Sequence, residues 1–313
     1  MKREGFRIAA IGELLWDMLP DGPQLGGAPA NFAAMCAYVA AAESANSAHE
    51  VFLVSRVGDD ALGQQALDQL AARPLKLDHV SIDTRHGTGV VCVDFRLPES
   101  PTYLIQEDVA WDYIPETLEL DALAQSLDAV CFGTLAQRSP VTRGTLRHFV
   151  EAAPSGCVRV FDVNLRDPYW TPEMLAWGCT RATVLKMNHE EVPRVARALG
   201  IPEQSALPVA NLLLRRFPIE LVAITRGAHG SLLVTPNDTH DHPGIAAQVV
   251  DLVGAGDAFT AALTLSVLRR LPLAQVAETA NRWGAWAASQ RGGMPMMADY
   301  GAMKKRIDRA ESG

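Results

Sequence analysis

A chain of 313 residues, 48% hydrophobic and 20% charged, has the composition of a globular protein long enough to bury a substantial core. A formal net charge of -8, with no lysine- or arginine-rich stripe, argues against nucleic acid as a partner. The five cysteines, Cys36, Cys92, Cys131, Cys157 and Cys179, are widely spaced and form no C-x-x-C pair. That argues against a disulfide framework or zinc site and suits reduced thiols in a cytoplasmic protein.

The N-terminus, MKREGFRIAAIGELLWDML, starts positive and turns apolar, as a signal peptide would. Gly12, Glu13 and Asp17 interrupt the apolar run and no small-residue cleavage site follows, so 7–12 reads as a first strand. The longest apolar run, 32–42, is too short to span a bilayer, and no membrane is expected. It falls within a helix predicted over 29–42, after the glycine turn of GGAPAN. A strand at 50–58 and a helix at 61–74 follow.

The stretch 88–108 breaks the rhythm with two strands around a Pro-Glu-Ser-Pro turn. Pattern alone fits a lid or a plain surface hairpin equally. Strands then return at 128–135, 158–165, 182–188 and 219–227, with helices at 142–153, 189–200 and 209–217. The histidines of HDH, at 240–242, have no third ligand in view and read as a polar loop. Two long helices, 256–271 and 272–290, complete the pattern. Near-continuously apolar strands alternating with helices predict an α/β fold, a doubly wound, mostly parallel sheet with helices on both faces. No repeat or low-complexity linker divides 1–313, so it reads as one domain with a small β excursion from about 13–25 and 88–108.

The segment VVDLVGAGDAFTAALTLSVLRRL is strand, glycine turn, helix. The backbone N–H groups of Gly254, Ala255 and Gly256 would cluster at a helix N-terminus, which attracts anions. No G-x-x-x-x-G-K-[ST] string occurs in the chain, and Phe259 replaces the last glycine of a dinucleotide fingerprint. Asp257 then has two readings. It is a helix N-terminal carboxylate stabilised by the dipole, or a general base that takes a hydroxyl proton beside a phosphoryl group held by the N–H nest.

DLVGAGDAF (251–259) resembles the C-terminal signature of the ribokinase-like (PfkB) carbohydrate kinases, and GGAPANFA (26–33) resembles their N-terminal glycine signature. Two signatures in the right order, more than 220 residues apart, are far more specific than either alone. The resemblance runs over almost the whole chain. Within the family the likeness is to fructokinases, through GELLWD, GGAPANFA, FGTLAQR and FDVNLRDPYW.

The resemblance implies a ribokinase-like fold with a β lid. It implies ATP-dependent phosphorylation of a sugar hydroxymethyl, with fructose giving fructose 6-phosphate, and with 2-keto-3-deoxygluconate, ribose or a nucleoside as alternative acceptors. A sugar- or nucleotide-binding regulator without turnover is the alternative of another class. ATP, Mg²⁺ and a monovalent cation such as K⁺ are the implied cofactors, and a homodimer through the lid the implied assembly.

Residue by residue, the resemblance gives Asp17, Gly26, Gly27 and Asn31 to the sugar and makes Asp257 the base. Gly254, Ala255, Gly256 and Arg166 would offset phosphoryl charge. Asn188 and Glu191, at N-x-x-E spacing, would support Mg²⁺ and its waters. Thr225 and Gly227 would lie near the nucleotide phosphates, Asn281 near the adenine, and Asp251 beside the monovalent cation. From the residues alone, Asp17 is a loop carboxylate, Arg166 a surface salt-bridge partner and Asn188 a helix cap. One departure is Leu252, where the family has threonine. The missing hydroxyl bears on the cation site and leaves the anion nest intact. His189 and His229 sit near family motifs without an assigned role.

Overall fold

A computed structural model describes residues 5–20, 22–43, 48–94, 102–202 and 205–296. The chain opens with β1 (Arg7–Ile11), β2 (Leu15–Leu19), β3 (Gly22–Gly26), α1 (Ala28–Glu43), β4 (Glu50–Gly58), α2 (Ala61–Ala71) and β5 (Val80–Asp83). It continues with β6 (Gly89–Asp94), β7 (Thr102–Ile105), α3 (Leu118–Ala124), β8 (Ala129–Phe132), α4 (Pro140–Ala152), β9 (Val158–Asp162), α5 (Pro172–Arg181) and β10 (Val184–Asn188). The last part comprises α6 (Glu191–Ala198), α7 (Ala206–Arg216), β11 (Leu221–Thr225), β12 (Ser231–Val234), β13 (Thr239–His242), α8 (Ala255–Leu268) and α9 (Leu273–Ala288).

Among the described residues, nine strands form one sheet in the order β13-β12-β11-β10-β9-β8-β1-β4-β5. From β11 to β5 every pairing is parallel. Side chains of a strand alternate between faces. Ile8 and Ala10 accordingly enter one core, which holds α1, α8 and α9, while Ala9 and Ile11 enter the other, with α4 to α7. This two-sided burial is why these strands read as unbroken apolar runs. Helix α8 packs against both α1 and α9, so its stretch AFTAALTL is buried all round. No helix among the described residues is long and apolar enough to cross a membrane.

The structure differs from the sequence reading at one edge. HDH is not a loop: β13 pairs antiparallel with β12, and the buried His242 meets Glu278 at 2.8 Å. An edge strand with one wet face and four polar residues carries no apolar period to read. Helices α3 and α5 also went unread. Each is short and begins at a threonine cap, Thr117 accepting from Leu120 N–H (3.3 Å) and Thr171 from Met174 N–H (3.2 Å).

The excursion forms a second sheet, in the order β3-β2-β6-β7. Its two parts, distant in sequence, join through the parallel pair β2–β6, with Asp17 opposite Val91. The Pro-Glu-Ser-Pro turn lies outside the described residues. Where β7 returns to the main body, the Arg138 guanidinium pairs with both Asp112 oxygens (2.8 and 2.7 Å), covers the Trp111 ring at 3.9 Å and donates to the Gln106 carbonyl at 2.6 Å. The Tyr169 hydroxyl donates to the adjoining Ile105 carbonyl at 3.1 Å.

Candidate active site

From β1 the chain runs outward to β4 and β5, and from β8 it runs the other way, so the order reverses between β1 and β8. At such a switch point the helices leave toward opposite faces and open a crevice beyond the strand carboxyl ends. The cavity found there is lined by Glu13, Thr134, Asp162, Asn164 and Asp257, among others.

Asp257 sits in the first turn of α8, whose N-cap is Gly254 at φ 76°. A Cβ on Gly254 would lie 2.4 Å from the Gly293 Cα, so both the conformation and the close approach need glycine. The Ala255 N–H, one of three expected in the anion nest, turns instead to the Leu252 carbonyl at 3.3 Å. Gly256 and Asp257 remain as first-turn residues, where a helix offers their N–H groups no carbonyl.

The two glycine signatures meet here. The Asn31 amide, on α1, donates to Asp257 Oδ2 at 2.7 Å across 226 residues of chain. Its Oδ1 is buried without a partner, pressed against Gly293. Burial raises the Asp257 carboxyl to about 6, and repulsion from Asp162 adds to this. Lys186, the Asn31 hydrogen bond and Arg166 pull it back.

Beneath the turn lies a buried ion pair that the sequence reading missed. Lys186, on β10, places Nζ 3.0 Å from Asp162 Oδ1, and the Thr260 hydroxyl donates to Asp162 Oδ2 at 3.0 Å. The available signal was a lysine inside the apolar strand LKMN, since an interior lysine needs a carboxylate partner. Glu13, just past β1, is a second buried charge with no sequence motif of its own. It is 4% exposed, and burial raises it to about 7 against its own backbone N–H and Arg166.

Asp17 lies on β2, partly buried; burial raises its carboxyl to about 6, with Arg166 lowering and Asp251 raising it. Gly26 and Gly27 owe their identity to what surrounds them. A Cβ on Gly26 would fall 2.5 Å from Asp17 Oδ2, and one on Gly27, at φ 105°, would fall 2.4 Å from the Glu13 carbonyl oxygen. Arg166 is exposed; it donates to the Leu165 carbonyl at 3.1 Å and its charge acts on Glu13, Asp17 and Asp257.

Further along the sheet, Asn188 and Glu191 form a reciprocal capping box for α6. Asn188 Oδ1 accepts from the Glu190 and Glu191 N–H groups, both at 2.9 Å. Glu191 accepts from Asn188 N–H at 2.8 Å and from Leu165 N–H at 2.7 Å. Asn188→Ala should therefore lower stability by about 1 kcal/mol, read from the urea midpoint at unchanged slope. Thr225 stands opposite Asn188 at the end of β11, and the exposed Gly227, at φ 57°, follows it.

Two further residues of the expected site are held in place by the fold. Asn281 is only 8% exposed, and its amide donates to Ser231 Oγ and the Ala277 carbonyl, both at 2.8 Å. It is thereby packed between α9 and β12. The Asp251 carboxylate accepts from Val253 and Gly292 N–H groups, both at 3.0 Å. It ties the glycine loop to the 289–294 turn. Among the described residues, no group of three or more His, Cys, Asp or Glu side chains is arranged to hold a metal ion.

The architecture and sequence both match known proteins. A family model described as "pfkB family carbohydrate kinase" matches residues 23–299. A fructokinase of Salmonella typhimurium is 29% identical, over 83% of this chain and 84% of its own. The crystal structure of an uncharacterized sugar kinase from Pyrococcus horikoshii in complex with ATP has a TM-score of 0.75 at 26% identity, covering 93% of this chain and 96% of its own. That of a Vibrio cholerae fructokinase bound to fructose, ADP and a calcium ion has a TM-score of 0.76 at 25% identity, covering 94% and 96%. The chain belongs to the pfkB family of carbohydrate kinases and is a sugar kinase.

Proposed function

We propose that this chain transfers the γ-phosphoryl group of ATP to a hydroxymethyl group of fructose, giving fructose 6-phosphate and ADP, with Asp257 as general base. The observation that carries the reading is the placement of Asp257. It stands in the first turn of α8 at the topological switch point, oriented by the Asn31 amide at 2.7 Å. As the sugar oxygen bonds to phosphorus and ADP departs, its proton passes to the Asp257 carboxylate. The N–H groups of Gly254, Gly256 and Asp257 and the exposed Arg166 offset charge on the phosphoryl oxygens. Asp17 and the Gly26–Gly27 turn face the sugar from the second sheet, which acts as a lid and excludes water. Thr225 and Gly227 lie along the path of the nucleotide phosphates.

Mg²⁺ would enter this site with the phosphates and would supply charge neutralisation there. The buried Glu191 carboxylate, already accepting two backbone N–H groups, is suited to hold the ion's waters and not the ion itself. Asn281 lies near the adenine, and Asp251 beside a monovalent cation between the glycine loop and the 289–294 turn that its carboxylate ties together. The fructokinases of Salmonella typhimurium and Vibrio cholerae support fructose as acceptor. An ADP-release assay over fructose, ribose, 2-keto-3-deoxygluconate and nucleosides should give a kcat/KM for fructose at least ~100-fold above the others. A preference for another acceptor overturns the assignment of fructose and leaves the base in place.

A further inference from the structure

We propose that Lys186 is a positioning residue for phosphoryl transfer: from beneath the first turn of α8 its ammonium group keeps Asp257 in the anionic form and offsets the charge that Asp162 brings to the same cavity. The inference rests on Asp257 being the general base.

The geometry is specific. Lys186 is 6% exposed, on a strand whose other side chains are apolar apart from the terminal asparagine. A Cβ on Gly256 would lie 3.1 Å from Lys186 Nζ, so the ammonium is close beneath the backbone of the turn that carries Asp257. Nζ is held there by Asp162 Oδ1 at 3.0 Å, while Thr260, one turn along α8 from Gly256, holds the other Asp162 oxygen at 3.0 Å. The Gly256 carbonyl lies 2.8 Å from the same hydroxyl, so the two acceptors share its single proton. Strand β9, strand β10 and helix α8 are thus locked together by one buried charge network.

Every element around Asp257 contributes to its electrostatics. Glu13 follows β1, Asn31 is on α1, Cys131 on β8, Asp162 on β9, Arg166 in the loop after it and Lys186 on β10. Burial holds the Cys131 thiol well above its usual value, so it stays uncharged. Burial alone would lower the Lys186 ammonium, but Asp162, Glu191 and Asp257 outweigh it and leave the value raised, so the cation persists. Asp162 is the anion that opposes ionisation of Asp257, joined by Glu13 only above about pH 7; Lys186 and Arg166 are the cations that favour it. Arg166 is exposed and screened by water, whereas Lys186 is buried and acts at full strength. In a site that must also receive the anionic phosphates of ATP, a fixed buried cation keeps the base ionised when that negative charge arrives.

A charge acting on Asp257 and a residue merely filling space make different predictions. The experiment measures kcat/KM against pH, with the sugar selected by the panel above, for the parent, Lys186→Met, Lys186→Arg and Asp162→Asn. Asp257 must be ionised to act, so activity falls on the acid side as it protonates. Lys186→Met should move that acid limb upward by about one pH unit or more, lowering kcat/KM at least about fivefold at pH 6. Lys186→Arg should return the limb toward the parent position, and Asp162→Asn should move it downward. Shifts of opposite sign are not expected from a general loosening of the site. If Lys186→Met does not fold, Lys186→Met/Asp162→Asn is compared with Asp162→Asn alone, and its limb should again lie higher. A limb that stays in place on loss of Lys186, or that moves the same way in the Lys186→Met and Asp162→Asn variants, overturns the inference. Asp257→Asn at the parent rate instead overturns the general-base reading beneath it.

Discussion

Asp257→Asn should lower kcat by at least about a thousandfold, roughly 4 kcal/mol of transition-state stabilisation, while ATP binding survives. The amide cannot take the hydroxyl proton, yet it has nearly the shape of the carboxyl and can still accept from the Asn31 amide. The backbone turn that would receive phosphate is left intact. The loss should therefore fall on kcat, and nucleotide affinity by titration calorimetry should stay within a few-fold of the parent. Turnover near the parent rate would remove Asp257 from the chemistry.

The same substitution should stabilise the fold. Burial and Asp162 raise the Asp257 carboxyl from 3.8 to about 6. Between those values the folded protein binds the proton more tightly than the unfolded chain, so stability falls as pH rises through this window. Above about pH 6 the full penalty of the charged form is present; below about 3.8 it is absent. Asp257→Asn should thus unfold at a higher urea concentration than the parent at pH 7, by up to about 3 kcal/mol, reduced because the residue is only partly buried. The gain should vanish toward pH 4. A base that destabilises its own fold is a common trade between activity and stability.

Gly254→Ala should damage both fold and activity, by about 2–5 kcal/mol in stability and at least ~100-fold in kcat/KM. Two costs combine. A non-glycine residue at φ 76° costs about 1 kcal/mol or more. The new Cβ would also lie 2.4 Å from the Gly293 Cα and 2.5 Å from its carbonyl oxygen. Those are backbone atoms of a turn tied to Asp251, so relief requires the glycine loop and the 289–294 turn to separate, at about 1–3 kcal/mol. Separation tilts the start of α8 and carries Asp257 away from Asn31, and a misplacement of about 1 Å at a reacting group is worth about a hundredfold. Equal urea midpoints for variant and parent would mean that the loop yields freely and that the glycine is required for neither reason.

Much of the fold was legible in the sequence because burial on both faces leaves a strong trace. β4 was read at its observed limits, 50–58, and the helices that became α1, α2, α4, α8 and α9 were each placed within a few residues. The edge strand β13 and the short helices α3 and α5 left none, since polar edges and two-turn helices carry little periodicity. The glycine signatures supplied Asp257, Asn31 and the family, because backbone conformations open only to glycine constrain sequence directly.

What the sequence by itself determined is thus the set of elements, their order and the family they belong to. Only the tertiary structure decided which charges face one another. The Asn31–Asp257 contact spans 226 residues, and the Lys186–Asp162–Thr260 network joins three elements whose spacing in the chain is unrelated to their distance in space. Tertiary packing also gave Asn188 and Glu191 to a helix cap, Asn281 to a helix–strand contact and Asp251 to a loop tie. Apolar periodicity records which face of an element is buried. The energy of a buried charge is set by its partner within a few ångströms, and that partner is chosen when the sheet closes.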